Sequence, residues 1–245
     1  MEGSNSMINN VQSFIVIYAI IIICVLLYNV AGIFIKDITT KSQKKKENFL
    51  RSKIELEIKR LSKENFIKTE HMHFIVEKLK HINGLILFNN IIVPKLEKPE
   101  VKRYLQQMKP AFIALVKEYE DKNNIKKTYF AYVISLCDFV SNEEDALSNF
   151  MIENVTSKSL YLRESSLKAL CSFGNAEKIN RALEKMNRNN IAHSPRLITN
   201  VLLSFCGNHN KLVKVLFDSL RNFRGSYKTA INDYIVLSGG ISRTF

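Results

Sequence analysis

From Gly3 to Ile35 the chain carries no charged side chain. Its apolar heart, FIVIYAIIIICVLLYNVAGIFI, runs over the 22 positions from Phe14 to Ile35. At 1.5 Å per residue a helix of that length measures roughly 33 Å, close to the ~30 Å hydrocarbon core of a bilayer. A cleaved signal peptide would need a basic leader, a shorter apolar stretch and a small-residue cleavage site. Here the one charge ahead of the stretch is Glu2. The expectation is a retained transmembrane helix at 14–35, behind a short extracytoplasmic N-terminus at 1–13. Lys36, Lys41, Lys44, Lys45, Lys46, Arg51 and Lys53 all follow the span, and no Lys or Arg precedes it. The positive-inside rule then predicts a single-pass protein of the cell membrane, with the N-terminus outside and everything after Ile35 in the cytoplasm. Thiols at Cys137, Cys171 and Cys206 suit that reducing compartment, and the sequon Asn154-Val-Thr156 would meet no glycosylation machinery. Asn29 and Gly32 lie toward the cytoplasmic end of the span. They admit two readings, a contact with a partner helix or an Asn at headgroup level.

The remaining composition narrows the fold. Of 245 residues, 46% are hydrophobic and 24% charged, which supports a packed core in one or two domains. Eight Gly and four Pro supply little material for tight turns, which argues against a sandwich, a barrel or a nucleotide-binding α/β fold and for helices. Four Cys without a CxxC pair exclude a disulfide scaffold and a zinc ribbon.

Between the predicted span and the rest lies a basic connector, 36–68, with 11 basic and 5 acidic residues. Leu50, Ile54, Ile58 and Leu61 form one apolar stripe at helical spacing, and Glu55 and Lys59 are placed to pair at i, i+4. The segment reads either as an amphipathic helix on anionic headgroups, with Lys41, Lys44, Lys45, Lys46 and Arg51 at the lipid, or as a stop-transfer flank whose stripe packs on protein. The two are compatible.

Beyond the connector the chain repeats. Arg163-ESSLKALCSF-Gly174 and Arg196-LITNVLLSFC-Gly207 each start with Arg, end with Gly and carry a Leu at the matching place, at an offset of 33. A further 33 leads to Thr229-AINDYIVLSG-Gly240, and a step back leads to the looser Phe130-AYVISLCDFV-Ser141. Second helices are predicted between the copies, at 142–154, 176–188 and 210–223. Asn175, Ser194-Pro195 and Gly207-Asn208 mark turns or helix starts. A helix pair leaves one apolar face open, and stacking closes it, so the prediction for 129–245 is an α-solenoid. Residues 69–128 read as degenerate or capping helices. Helix starts are expected at Thr69-Glu70 and at Pro99-Glu100, with a kink or division at Lys109-Pro110. The last repeat is expected to lack its second helix, because Ser238 to Phe245 is short and irregular. Either the chain is cut there or a partner covers the end.

The period also suits ankyrin and tetratricopeptide repeats, but the T-P-L-H signature and any Trp are missing. The segment Leu162-Arg-Glu-Ser-Ser-Leu-Lys-Ala-Leu170, then Phe173-Gly-Asn-Ala-Glu177, resembles the short bacterial HEAT repeat, with its Arg-Glu start, Leu positions and Gly turn. The resemblance covers about Tyr129 to Leu237. It implies an all-α, armadillo-like solenoid of HEAT-like helix pairs, and it points to bacterial membrane-anchored HEAT proteins working beside membrane enzymes such as envelope glycosyltransferases.

Candidate chemistry is sparse. His73, Glu77 and His81 share a helical spacing at which a metal could be held, but a further well-spaced ligand is missing; a wet helix face is the plainer reading, and no metal is predicted. Cys137, Cys171 and Cys206 lie in apolar helices and behave as small hydrophobes. GxGxxG, GxxxxGK[ST], GxSxG and HExxH motifs are all absent. The most pointed pattern is basic. Lys178, Arg181, Lys185 and Arg188 run along one second helix, and 33 residues on come Lys211, Lys214, Asp218 and Arg221. In HEAT solenoids second helices line the concave face, so the charges would stack into an anion-attracting groove. The plainer reading is a solvated face in a chain of net charge +13.

The function expected from these readings is a non-catalytic scaffold or adaptor that binds a membrane-associated protein and contacts anionic lipid headgroups. No cofactor and no small-molecule substrate are expected. The alternative is binding of nucleic acid or anionic lipid through the groove, as alkylpurine DNA glycosylases of HEAT-like fold do for DNA, although the tether disfavours nucleic acid. A third reading, an enzyme like the bilin lyases, finds no catalytic constellation.

Overall fold

A computed structural model describes residues 2–137, 139 and 145–239, with the side chains of 2–21, 23, 30–35, 37 and 38 outside the description. Its elements are α1 (Glu2–Glu64), α2 (Thr69–Leu79), α3 (Ile82–Ile92), α4 (Pro99–Glu120), α5 (Asn124–Ser135), α6 (Ala146–Asn154), α7 (Leu160–Ser172), α8 (Ala176–Arg188), α9 (Pro195–Leu203), α10 (His209–Asp218) and α11 (Gly225–Leu237). There is no strand among the described residues. The protein is all-α, and the chain divides into two units, 1–52 and 53–245.

The first unit lies within α1. No helix is long and apolar enough to cross a membrane among the described residues; the side chains of the predicted N-terminus (1–13) and of most of the predicted span (14–35) fall outside the description. Within the span, the Asn29 side chain donates to the Val25 carbonyl one turn back, at 2.9 Å. Lys41, Lys44, Lys45 and Lys46 are exposed, and Arg51 pairs with Glu47 at 2.7 Å.

The second unit is a stack of helices in two layers. On one side α2 packs on α4, α4 on α6, α6 on α8 and α8 on α10. On the other α3 packs on α5, α5 on α7, α7 on α9 and α9 on α11. Alternating the layers along the chain buries an apolar face of every helix against its neighbours, which is the economy of a solenoid. The expected second helices appear as α6, α8 and α10. The last of these stops at Asp218, short of Phe223, and a single 3₁₀ turn, Leu220–Asn222, follows it.

Helix starts follow the turn residues. Asn123, Asn175 and Asn208 each accept a hydrogen bond from the backbone N–H three residues on, at 3.1, 3.0 and 3.1 Å. Pro99 and Pro195 occupy the first turns of α4 and α9, where a missing N–H costs nothing. The repeated glycines explain themselves once the layers form. Gly174 lies at φ +68°, and a Cβ on Gly207 would sit 2.3 Å from the Gly174 carbonyl oxygen. Alongside, the Cys206 N–H donates to the Cys171 carbonyl at 3.1 Å. The two repeats therefore touch backbone to backbone at their glycine ends, and only hydrogen fits there.

Residues 69–128, set apart in sequence, follow the same alternation as the recognisable repeats. Their core is aromatic. Phe112, fully buried, meets Phe88 at 5.9 Å, Phe130 at 6.5 Å and Phe139 at 5.4 Å between ring centroids. Tyr119 stacks on Phe130 at 4.3 Å and donates to the Leu79 carbonyl at 2.6 Å.

Two local expectations need correction. Pro110 does not divide its helix, because α4 runs through it to Glu120; buried flanks at Met108, Ala111 and Phe112 hold the helix on both sides. Glu55 pairs across the fold with Lys95 instead of with Lys59. Ile54 and Leu61 of the connector stripe are buried, whereas Ile58 is half-buried. The expectation about the end of the last repeat falls on residues 240–245, outside the described ones.

Candidate binding surface

His73, Glu77 and His81 do not share a helix face. α2 ends at Leu79, and His81 caps the start of α3. The corner is tight: a Cβ on Gly84 would meet the Lys78 carbonyl. Glu77 is engaged by Lys80 at 2.5 Å, and no cluster of three or more ligating side chains occurs among the described residues. Cys171 is fully buried, and burial pushes its thiol pKa up, the reverse of what a nucleophile needs.

The seven residues of the predicted groove separate into two groups. Lys178 is buried. Lys185 reaches Glu153 of α6 at 2.6 Å, and Lys211 reaches Glu177 of α8 at 2.9 Å. The Lys211 ammonium holds the Glu177 carboxyl below its ordinary value. These two pairs link consecutive helices of one layer, and they set carboxylates among the lysines of the stripe. Arg181, Arg188, Lys214 and Arg221 are exposed and have no acidic partner among the described residues.

Of these cations, Lys214 lies on α10 and Arg221 in the turn between α10 and α11, and the structure adds two more that the 33-residue register does not pick out. Arg224 is the N-cap of α11, and Lys228 lies in that helix's first turns; both are exposed and likewise without an acidic partner among the described residues. Arg221 and Lys228, with Phe217, Asp218 and Leu220, line a cleft of about 360 Å³. Phe217 is 64% exposed there. Lys214 precedes it by three positions on α10, and hence on the same face. An aromatic side chain left in water beside cations with no acidic partner among the described residues combines apolar contact with charge selectivity.

Two larger clefts lack that combination. One of about 490 Å³ between α4, α5 and α6 is lined by Glu120, Lys127 and Glu153 beside Phe150, whose ring is buried. The other, of about 570 Å³ between α7 and α9, contains Glu164 and Lys168 already paired at 2.8 Å.

The signal for the α10–α11 corner was present in the sequence as Phe217 amid Lys214, Arg221, Arg224 and Lys228. It is invisible to repeat counting because Arg224 and Lys228 belong to the next helix. No family model, curated protein or solved structure matches this chain.

Proposed function

We propose that this protein is a non-catalytic adaptor: a HEAT-like helical solenoid, held at the membrane by an N-terminal transmembrane helix at 14–35, that binds a protein partner on the cytoplasmic side. The reading rests above all on the corner at α10–α11, where an exposed Phe217 stands beside cations with no acidic partner among the described residues. Support for the membrane location is the uncharged stretch from Gly3 to Ile35 followed by the lysines at 41 and 44–46, which are exposed and suited to anionic headgroups. Confinement to the membrane plane would raise the effective concentration toward a membrane-bound partner. An envelope-related membrane enzyme is the partner class that the HEAT resemblance suggests.

The test is co-purification. Full-length protein tagged at its C-terminus is extracted from native membranes in mild detergent, and the retained proteins are identified by mass spectrometry. A stoichiometric membrane protein that survives high salt is expected. Release of the chain from membranes by alkaline carbonate would overturn the anchor, and retention of no protein would overturn the adaptor. Salt-labile nucleic acid or anionic lipid in its place would support the second reading, a groove along Arg181, Arg188, Lys214 and Arg221.

A further inference from the structure

The chemistry of the α10–α11 corner also specifies what it receives. We infer that this cleft docks an acidic peptide segment of the partner through a single apolar anchor side chain, seated between Phe217 and Leu220 and flanked by carboxylates on Arg221 and Lys228. The inference rests on the adaptor reading and narrows it to one surface and one kind of ligand.

Size comes first. At about 360 Å³ the cleft is at the small end of the roughly 300–1,000 Å³ range of ligand pockets. It is lined by a ring and an aliphatic side chain with no metal-ligating set. That space takes a Leu, Ile or Phe side chain and leaves the peptide backbone at the rim.

Charge selects the flanks. Asp218 lines the cleft with Arg221 and Lys228 and Glu184 reaches Asn222 in the turn at 3.3 Å, yet Lys214, Arg221, Arg224 and Lys228 form no ion pair with either or with any other carboxylate among the described residues. Elsewhere on the stack, Lys185 and Lys211 are already matched by carboxylates of this chain. At the corner, unlike at Arg181 and Arg188, cations without an acidic partner among the described residues line a cleft beside an exposed ring, where acidic groups from outside can meet them. An Arg fork can hold a carboxylate through two hydrogen bonds, and Lys supplies a point charge.

Concavity and Asp218 together favour a peptide over a lipid surface. A bilayer presents no protruding side chain to fill a cleft, and the Asp218 carboxylate in the lining can accept from a peptide N–H.

The experiment uses full-length protein in detergent and fluorescent synthetic peptides rich in Asp and Glu around one central Leu or Phe, read by anisotropy. Matched peptides replace the anchor with Ser or the acids with Gln. The anchored acidic peptide is expected to bind best, with affinity weakened but not abolished by salt. Phe217→Ser is expected to cost about tenfold or more, as truncation of a central anchor does. The double variant Arg221→Glu/Lys228→Glu should cost at least as much. All three positions are exposed or at the surface of the cleft, and an unchanged circular dichroism melt verifies folding. Equal binding by wild type and variants, preference for vesicles containing phosphatidylglycerol, or self-association that depends on Phe217 would each overturn the proposal. The same variants separate this inference from the adaptor reading. If they still retain the membrane partner in the co-purification, the cleft is wrong and the adaptor stands. If the wild type retains none, the adaptor itself falls.

Discussion

The two halves of the helical stack solve one packing problem with different materials. From α2 to α6 the layers are locked by rings, with Phe112 fully buried among Phe88, Phe130 and Phe139. From α7 to α11 buried aliphatic side chains such as Leu167, Leu183, Leu202 and Leu216 fill the layers, and at one repeat boundary Gly174 and Gly207 meet backbone to backbone. A ring cluster tolerates irregular spacing, since large side chains can reach across it. A backbone contact does not, and it enforces the same turn at the same place in the two repeats it joins. The first half therefore carries long and uneven helices such as α4, whereas the second keeps its 33-residue register.

Substitutions can break this contrast. The largest effect is expected from Phe112→Ala, which removes the hub of the aromatic half and should cost about 3–5 kcal/mol. Urea denaturation would show it as a lower midpoint at unchanged slope. Next comes Gly207→Ala. Its new methyl group would lie 2.3 Å from the Gly174 carbonyl oxygen and 2.6 Å from the Phe205 ring, so about 1–3 kcal/mol should be lost by overpacking. A tolerated alanine there would mean that the backbone contact does not hold the repeats. Asn208→Ala deletes the cap on α10 and should cost about 1 kcal/mol, and Asn175→Ala should match it, because the two caps are related by the repeat.

The smallest effect is set by pH, and it sharpens the same contrast. In the second half His193 is buried, neither ring nitrogen has a hydrogen-bond partner among the described residues, and Arg163 and Glu164 are its charged neighbours. Burial, aided by Arg163, holds its pKa below the ordinary value. The unfolded chain therefore takes up the proton first. Stability from this site is complete above about pH 6.5, the unfolded value, and declines as pH falls below it. His71 in the first half is lowered mainly by burial, with the same sign, but its Nε2 is shared with the Tyr104 hydroxyl at 2.8 Å. Melting temperatures between pH 8 and 5 should fall for the wild type, and His193→Leu should flatten part of that slope. An unaltered slope would remove His193 from this role.

The same contrast explains what could be read in the sequence. α8 was legible to the residue and the glycine-ended helices to within about four residues at their ends, since Gly, Asn and Pro act locally at turns and caps. The first half's place in the stack was not, because aromatic packing is long-range and leaves no fixed spacing. Pro110 leaves its helix undivided for a related reason, since tertiary burial on both sides holds α4 together across a local breaker. At the candidate site, charge alone was legible. Whether a lysine is spent on a carboxylate of the next helix, as Lys185 and Lys211 are, depends on which helices become neighbours. That Lys228 and Phe217 line one cleft across a turn depends on it too.

The most direct test of the adaptor reading places a photo-cross-linking residue in the full-length chain at position 217, and separately at position 161. Phe217 and Tyr161 are both exposed aromatics, at 64% and 73%, on different parts of the stack. After irradiation of native membranes, one discrete protein adduct is expected from position 217 and none from position 161, and Arg221→Glu/Lys228→Glu should abolish it. Equal adducts from both positions, or an adduct at 217 that survives the charge reversal, would contradict a partner surface at the α10–α11 corner.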